Sequence, residues 1–123
     1  MAVLLDTHAF LWWCEDARDL SRKAISEEDC LLSLASVWEV AIKISVGKLK
    51  LPSSIERYVP QQLALYGFSS FEIGFRHIAR CSELPWHHRD PFDRMLVAQA
   101  IEEDLPLVSR DPVFEKYGVR RIW

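Results

Sequence analysis

The sequence predicts an α/β domain with a central parallel sheet of four or five strands flanked by helices. Short apolar runs, which are typical of buried strands, alternate along the chain with longer segments of helical character. This alternation favours a parallel sheet, because parallel neighbours need a crossover segment between them. With 123 residues, half of them apolar, the chain has material for one hydrophobic core and not for two. We therefore expect a single domain over residues 1–123.

The elements are expected in a regular order along the chain. Pro91 marks the clearest helix start, and Gly47 and Gly67 mark the ends of two earlier helices. Ser36 with Glu39 three residues later fits a capping box, so a helix is expected to begin at Ser36. The strands are predicted at residues 2–5, 30–33, 69–73, 105–109 and 119–122. The helices are predicted at 7–14, 21–28, 36–47, 54–66, 75–81 and 91–103, with polar loops at 15–19 and 84–89.

Composition excludes several classes of protein. Three cysteines without a C-x-x-C pair indicate reduced, mostly buried thiols, as in a cytoplasmic protein: Cys14, Cys30 and Cys81. No cysteine has zinc-ligand spacing to His87 or His88. The longest apolar run, residues 9–14, is too short to span a bilayer, and no basic region precedes the first apolar stretch. We expect no membrane span and no signal peptide.

Four acidic residues are placed where a metal-dependent phosphodiesterase needs them. Asp6 ends the first apolar run, Asp111 closely follows the run 105–108, and Glu39 and Asp93 lie in opening turns of predicted helices. In an open parallel sheet, strand C-termini and helix N-termini meet at one edge, where ligands bind. Four carboxylates in one cleft repel each other unless a cation lies between them. Such an oxygen-rich site suits Mg²⁺ or Mn²⁺.

Helix capping is the competing explanation for these acids. Glu39 fits the capping box begun by Ser36, and Asp90 and Asp93 have the same spacing at the next helix. Asp111 is also compatible with the start of a turn. Asp6 is the hardest to explain structurally, since an acid directly after a buried strand needs a partner or a cation. The functional interpretation depends on all four together.

Other side chains carry weaker signals. Each histidine is a candidate general base, although a lone histidine is more often an ordinary polar residue: His8, His77, His87 and His88. The aromatic residues of the first helix are expected in the core or at a partner surface rather than as base-stacking platforms: Phe10, Trp12 and Trp13. No Gly-rich phosphate loop or nucleophile elbow is present.

The charge distribution is compatible with a nucleic acid at this site. The net charge is −3, but without the four candidate ligands 14 acidic residues face 15 basic ones. Three arginines adjoin candidate acids in the sequence, and one lysine lies one helical turn after Glu39. All four are predicted to contact phosphates: Lys43, Arg89, Arg94 and Arg110. Scattered, solvated charges are the alternative interpretation.

Several motifs together resemble those of PIN-domain proteins, and most closely the VapC-type toxins of bacterial toxin–antitoxin pairs. The motifs cover the chain in order: Leu4-Leu5-Asp6-Thr7-His8, Ser36-x-Trp38-Glu39-Val40-Ala41-Ile42-Lys43, Asp90-Pro91-Phe92-Asp93-Arg94 and Val108-Ser109-Arg110-Asp111-Pro112. The resemblance implies a single PIN-like domain, Mg²⁺- or Mn²⁺-dependent endoribonuclease activity, a homodimer and a small antitoxin that blocks the site. It assigns the acidic quartet to Asp6, Glu39, Asp93 and Asp111, with Asp90 as an additional candidate ligand.

The resulting hypothesis is hydrolysis of an RNA phosphodiester with one or two divalent ions. Asp6 and Asp93 would bind the metal, and Glu39 would hold a second ion or orient the water. Thr7 and Ser109, which stands where the family often has threonine, are expected to position the ligands. Two alternatives stay open: a non-catalytic protein-binding module whose acids cap helices, and a DNA nuclease of the same fold.

Overall fold

Five parallel strands form the centre of the protein. The computed structural model describes residues 2–15 and 29–123. The strands are β1 (Ala2–Leu5), β2 (Asp29–Ser33), β3 (Ser69–Phe71), β4 (Leu107–Val108) and β5 (Arg121–Ile122), and they pair in the order β3-β2-β1-β4-β5. Every adjacent pair is parallel, and β1 is central. The predicted fold class, an α/β domain with a parallel sheet of four or five strands, is confirmed.

Helices cover both faces of the sheet. They are α1 (Thr7–Glu15), α2 (Leu34–Ser45), α3 (Ile55–Tyr66), α4 (Phe75–Glu83) and α5 (Pro91–Glu102), followed by a 3₁₀ helix at Pro112–Tyr117. Successive residues of a strand point to opposite faces. Val3 and Leu5 therefore pack with α1 and α3, whereas Leu4 packs with α5 and the 3₁₀ helix. Two buried cores hold the central strand, and this fixes the position of Asp6 at its end.

Most predicted elements are present, with shifted ends. The strand at 2–5 is confirmed, and the helices at 54–66 and 91–103 agree with α3 and α5 within one residue at each end. The strands predicted at 69–73, 105–109 and 119–122 are shorter, and the helix predicted at 75–81 continues to Glu83. Helix α1 includes Glu15, the first residue of the predicted loop 15–19. The rest of that loop and the predicted helix at 21–28 lie outside the described residues.

The start of α2 differs from the prediction. Ser33, the last residue of β2, is the N-cap, and its side chain accepts the Ala35 N–H at 3.0 Å. The helix thus begins at Leu34, two residues earlier than expected, because the strand leads into it without a loop. Ser36 lies inside the first turn, so the predicted capping box between Ser36 and Glu39 is wrong. Glu39 therefore does not take part in the predicted capping box.

Other local predictions have mixed outcomes. Gly47 and Gly67 adopt left-handed backbone with φ of 76° and 69°, as expected of residues that end helices. The three cysteines form no disulfide, but only Cys30 is buried, so the prediction of mostly buried thiols is wrong for Cys14 and Cys81. None of the helices in the described segments has the length and apolar character needed to cross a bilayer.

Candidate active site

The candidate residues lie at the carboxyl edge of the sheet. Asp6 directly follows β1, and its backbone N–H donates to the Val108 carbonyl of β4 at 3.0 Å. Glu39 lies in the second turn of α2, which leaves the end of β2, and Asp93 lies in the first turn of α5. Asp111 follows β4 and precedes the 3₁₀ helix. The topology therefore brings these acids to one edge, as ligand sites in open parallel sheets require.

Asp6 is a buried carboxylate in the middle of this edge. Asp6 is only 5% exposed, and its Oδ1 accepts the Ala9 N–H at 2.6 Å. Burial raises the pKa of Asp6, while hydrogen bonds from the Ser109 side chain and the Ala9 backbone oppose that rise. The nearby negative charge of Glu39 raises the pKa further. The charged form of Asp6 is thus disfavoured without a cation.

Glu39 has one satisfied and one unsatisfied oxygen. The residue is 5% exposed, and Oε2 lies 3.0 Å from Nζ of Lys43, one helical turn later. Oε1 is buried and has no hydrogen-bond partner. A buried acceptor left without a partner is costly, and most such groups in proteins bind a donor, a water molecule or an ion. Glu39 therefore presents an oxygen suited to a cation.

Asp93 completes a row of carboxylates that influence one another. Its side chain is 21% exposed, and Oδ2 lies 2.8 Å from Nε2 of His88. Burial is the main cause that raises the pKa of Asp93 to about 6. The negative charges of Asp90 and Glu39 raise it further, whereas the hydrogen bond with His88 lowers it. Asp6, Glu39 and Asp93 thus form a row in which the negative charge of Glu39 raises the pKa of the acid on either side.

Asp90 and Asp111 have clear capping roles. Oδ1 of Asp90 accepts the N–H groups of Phe92 and Asp93 at 2.8 and 3.0 Å, so capping explains Asp90. Oδ1 of Asp111 accepts the Val113 N–H at 2.9 Å at the start of the 3₁₀ helix. Asp111 is exposed, however, and lines the same cleft as Asp6. The cap uses Oδ1 of Asp111, so this backbone hydrogen bond does not occupy Oδ2.

Three hydroxyl groups connect the elements that carry the acids. Thr7 Oγ1 donates to Ser36 Oγ at 2.9 Å, and both residues are buried between α1 and α2. Ser109 is fully buried, accepts the Asp111 N–H at 3.0 Å and hydrogen bonds to the Asp6 carboxylate. These bonds hold Asp6, α2 and Asp111 in fixed relation. Ser36 was not among the predicted site residues, because its expected capping role hid it.

The predicted phosphate contacts divide into two groups. Arg94 is buried, and its guanidinium donates to the carbonyls of Pro85, His88, Cys81 and Leu84. It also stacks 3.7 Å from the Trp86 ring centroid. The prediction that Arg94 contacts phosphate is therefore wrong, because its donors hold the loop before α5. Arg89 and Arg110 are exposed, and Lys43 is half-buried beside Glu39.

Two histidines show how little the sequence says about this residue type. His88 contacts Asp93, a role that no motif predicted, and its position just before the Asp90-Pro91 helix start is the only available signal. His77 is instead structural: Nδ1 accepts the Gly74 N–H at 2.9 Å, so Nε2 carries a proton for Glu103 Oε1. The ordinary polar role considered for lone histidines therefore fits His77, while His88 touches the site.

The candidate carboxylates lie at the same edge of the sheet but do not form a tight cluster. Among residues 2–15 and 29–123, no three His, Cys, Asp or Glu side chains are grouped closely enough to hold one ion. Lys43 lies on Glu39 and His88 on Asp93, as expected of acids that need positive or hydrogen-bonding neighbours. The chemistry of the donors fits a hard divalent ion, since all four are carboxylates and Glu39 Oε1 is an unpartnered buried acceptor.

Comparison with known proteins identifies the family. A family model described as "PIN domain" matches residues 3–119, which is nearly the whole chain. The chain belongs to the PIN-domain family. The resemblance drawn from the sequence motifs is confirmed, and the carboxyl-edge acids lie within the matched PIN domain.

One curated relative and many solved structures resemble this PIN domain. Ribonuclease VapC16 of Mycobacterium tuberculosis is 41% identical over 49 residues, covering 40% of this chain and about a third (35%) of the relative. The crystal structure of VapBC2 from Rickettsia felis bound to a DNA fragment from the promoter aligns with a TM-score of 0.76 and 14% identity, covering 99% of this chain and 98% of that chain. FitAcB from Neisseria gonorrhoeae aligns with a TM-score of 0.68 and 20% identity, covering 100% and 97%. At these identities the structures show a shared fold.

Proposed function

We propose that this PIN domain is a divalent-metal-dependent endoribonuclease of the VapC type. The observation that carries the proposal is the row of Asp6, Glu39 and Asp93, in which burial and nearby negative charge raise the pKa of Asp6 and Asp93, and the buried Glu39 Oε1 has no hydrogen-bond partner. Perturbed carboxylates in a cleft are typical of catalytic sites. Membership of the PIN family and likeness to Ribonuclease VapC16 support the substrate class.

The carboxylates have distinct roles in the proposed reaction. Asp6 and Asp93 would hold the ion, Glu39 would hold a second ion or orient the attacking water, and Asp111 would complete the site directly or through water. Asp90 acts mainly as the cap of α5. Bound Mg²⁺ or Mn²⁺ would supply Lewis acidity for activating water and offsetting charge on the phosphate. In the overall hydrolysis, the oxygen of one water molecule forms the new bond to phosphorus and the bond to the leaving oxygen breaks. The attacking water gives up one proton to solvent, and the leaving oxygen takes up one proton from solvent.

The neighbours of the acids support this arrangement. Ser109 and Thr7 hold Asp6 and the start of α2 in place through buried hydrogen bonds. Lys43 forms an ion pair with Glu39 and is partly exposed, and we propose that it also contacts a substrate phosphate. Arg89 and Arg110 are exposed and contact phosphates along the RNA. Arg94 is not included among the proposed phosphate contacts, because its guanidinium already donates to backbone carbonyls.

Metal dependence gives the most direct test. Purified protein should cleave RNA with Mg²⁺ or Mn²⁺, lose the activity in EDTA and regain it when metal is restored. A matched panel of RNA and DNA substrates tests the alternative of a DNA nuclease. Undiminished cleavage in EDTA would contradict the metal mechanism. No cleavage of any nucleic acid would favour the non-catalytic, protein-binding alternative.

The proposal extends to the partners of the enzyme. We propose that it is the toxin of a bacterial toxin–antitoxin pair, active in the cytoplasm as a single-domain homodimer and inhibited by a small antitoxin. Support comes from similarity to chains of solved VapBC structures, one of them VapBC-5 from Mycobacterium tuberculosis, a member of the VapBC family of toxin–antitoxin systems. Light scattering of the purified protein should give a dimer. If a small open reading frame lies immediately upstream, coexpression of its product should abolish RNA cleavage.

A further inference from the structure

A cleft of about 580 Å³ lies beside the carboxylates on the β4 side of the sheet. Its described lining includes Asp6 and Asp111 at one wall, and Trp12, Trp123 and Arg110 at another. The lining is mainly apolar, although the cleft adjoins the most polar site of the protein. An apolar wall next to candidate metal ligands is the arrangement expected where a substrate has a charged reacting group and a flat apolar part.

The two tryptophans form a pair at the mouth of this cleft. Their ring centroids are 5.7 Å apart with an interplanar angle of 41°, so the rings are not packed face to face. Trp123 is 41% exposed, and Trp12 is half-buried. The Arg110 guanidinium lies 5.1 Å from the Trp12 centroid. Arg94, by contrast, lies 3.7 Å from Trp86 and is held by backbone carbonyls. The Arg110–Trp12 contact is the longer of the two.

The charges of the cleft select among ligands. Among the described lining residues, Arg110 is the sole arginine or lysine, whereas Asp6, Asp111 and Glu15 are acidic. An acidic peptide or a free anion is therefore disfavoured, and a neutral flat group fits the apolar wall. A nucleobase is such a group, and every base has a face that stacks on tryptophan or on an arginine plane. Its backbone phosphate would then lie near Arg110 and the carboxylate row.

We propose that this cleft binds one unpaired nucleobase next to the scissile phosphate, with the packed Trp12–Trp123 pair as the stacking surface and Arg110 at the neighbouring phosphate. The inference rests on the proposed ribonuclease function, and it requires an unpaired base, because a base within a duplex cannot reach the cleft without loss of pairing. Trp12 and Trp123 then contribute to RNA affinity without distinguishing among the four bases.

The test uses three leucine variants of the full chain. Trp12→Leu and Trp123→Leu each remove one ring of the pair, and Phe75→Leu is the matched control because Phe75 is 86% exposed and is not among the lining residues of the cleft. Each protein is given a random-sequence single-stranded RNA of twelve nucleotides with Mg²⁺, and the cut positions are sequenced. Thermal melts exclude misfolding, and Trp12→Phe tests whether another stacking ring restores cleavage.

A second experiment removes a base from the RNA instead of a tryptophan from the protein. The preferred RNA of the parent protein is resynthesised with a single abasic residue at each position around the cut. One position next to the cut should raise KM by about 5- to 150-fold for the parent, as expected for loss of one stacked base. Trp12→Leu should show the same raised KM with the intact RNA and no further change with that abasic RNA. Phe75→Leu should behave as the parent.

The outcomes separate this inference from the proposed function. If the parent leaves RNA intact, the ribonuclease proposal itself fails. If the parent cuts and Trp12→Leu and Trp123→Leu keep its KM, the ribonuclease function stands and the base site is overturned. Equal abasic effects in the parent and in Trp12→Leu would overturn it as well. Rescue by Trp12→Phe together with a shared abasic position supports it.

Discussion

Asp90 and Asp93 stand three residues apart at the start of α5, but their surroundings differ. Asp90 accepts two backbone N–H groups at the positive end of the helix, an arrangement that stabilises a carboxylate. Asp93 lies deeper, and burial with the charges of Asp90 and Glu39 raises its pKa to about 6. An ionised aspartate therefore stabilises the folded protein at position 90 and destabilises the metal-free protein at position 93. An acid that weakens the metal-free fold is the one expected to bind a cation.

The largest expected difference between the two positions is in activity. Asp93→Asn removes a proposed metal ligand, so RNA cleavage should fall by orders of magnitude, roughly 10²-fold or more if a major electrostatic contribution to catalysis is lost. Asp90→Asn keeps a side chain that caps helices nearly as well. It should retain most of the activity. Initial cleavage rates of parent, Asp93→Asn and Asp90→Asn in Mg²⁺ make the comparison.

Stability measurements protect that comparison from a folding artefact. Without metal, Asp93→Asn should be no less stable than the parent, since it removes one of several like charges. Added Mg²⁺ should raise the Tm of the parent more than that of Asp93→Asn, because binding stabilises by mass action. A destabilised but fully active Asp93→Asn protein would remove Asp93 from the site and return it to a capping role.

The next effect is a dependence of stability on pH. The pKa of Asp93 is raised from 3.8 to about 6 in the folded protein, so the folded state holds this proton more tightly than the unfolded state. The free energy of unfolding should therefore fall as pH rises through this interval, by up to about 3 kcal/mol at 1.36 kcal/mol per pKa unit. The raised pKa of Asp6 acts in the same direction. Urea unfolding of the metal-free protein between pH 4 and 7 measures this.

Asp93→Asn supplies the control for the pH effect. Glu102 has a lowered pKa because of its bond with Arg80, and it changes stability in the opposite direction at acidic pH. The difference between parent and Asp93→Asn removes that background. This difference should shrink toward low pH, where Asp93 is protonated in the parent. A difference independent of pH would show that Asp93 has an ordinary pKa in the folded protein.

The contrast between the two acids also explains what the sequence predicted well. Periodicity and helix-boundary residues depend on local chemistry, so Pro91, Gly47 and Gly67 marked helix ends correctly. Capping was harder because two serines, Ser33 and Ser36, compete for the start of α2. The sequence has a cap signal at both, and only the direct connection of β2 to α2 decides for Ser33.

The site was partly predictable for a similar reason. Topology alone brings Asp6, Glu39, Asp93 and Asp111 to one edge, and that follows from strand and helix order. The orientation of each side chain does not follow from order. Arg94 is adjacent to Asp93 in sequence, but its guanidinium points into the loop that precedes α5. The contact of His88 with Asp93 likewise depends on that loop's path, which no local pattern specifies.

The smallest expected effect concerns Asp90 as a cap. Asp90→Ala leaves the N–H groups of Phe92 and Asp93 without their shared acceptor, so the free energy of unfolding should fall by about 1 kcal/mol, within the range of 0.5–2 kcal/mol for lost caps. Asp90→Asn should recover most of that stability because its amide oxygen accepts the same bonds. Chemical denaturation of both variants at pH 7 gives the two values. Loss of stability in both variants alike would mean that the charge near the helix end matters more than the bonds. If neither variant loses stability but both cleave RNA much more slowly, Asp90 would instead be a metal ligand. The proposed difference in role between Asp90 and Asp93 would then be wrong.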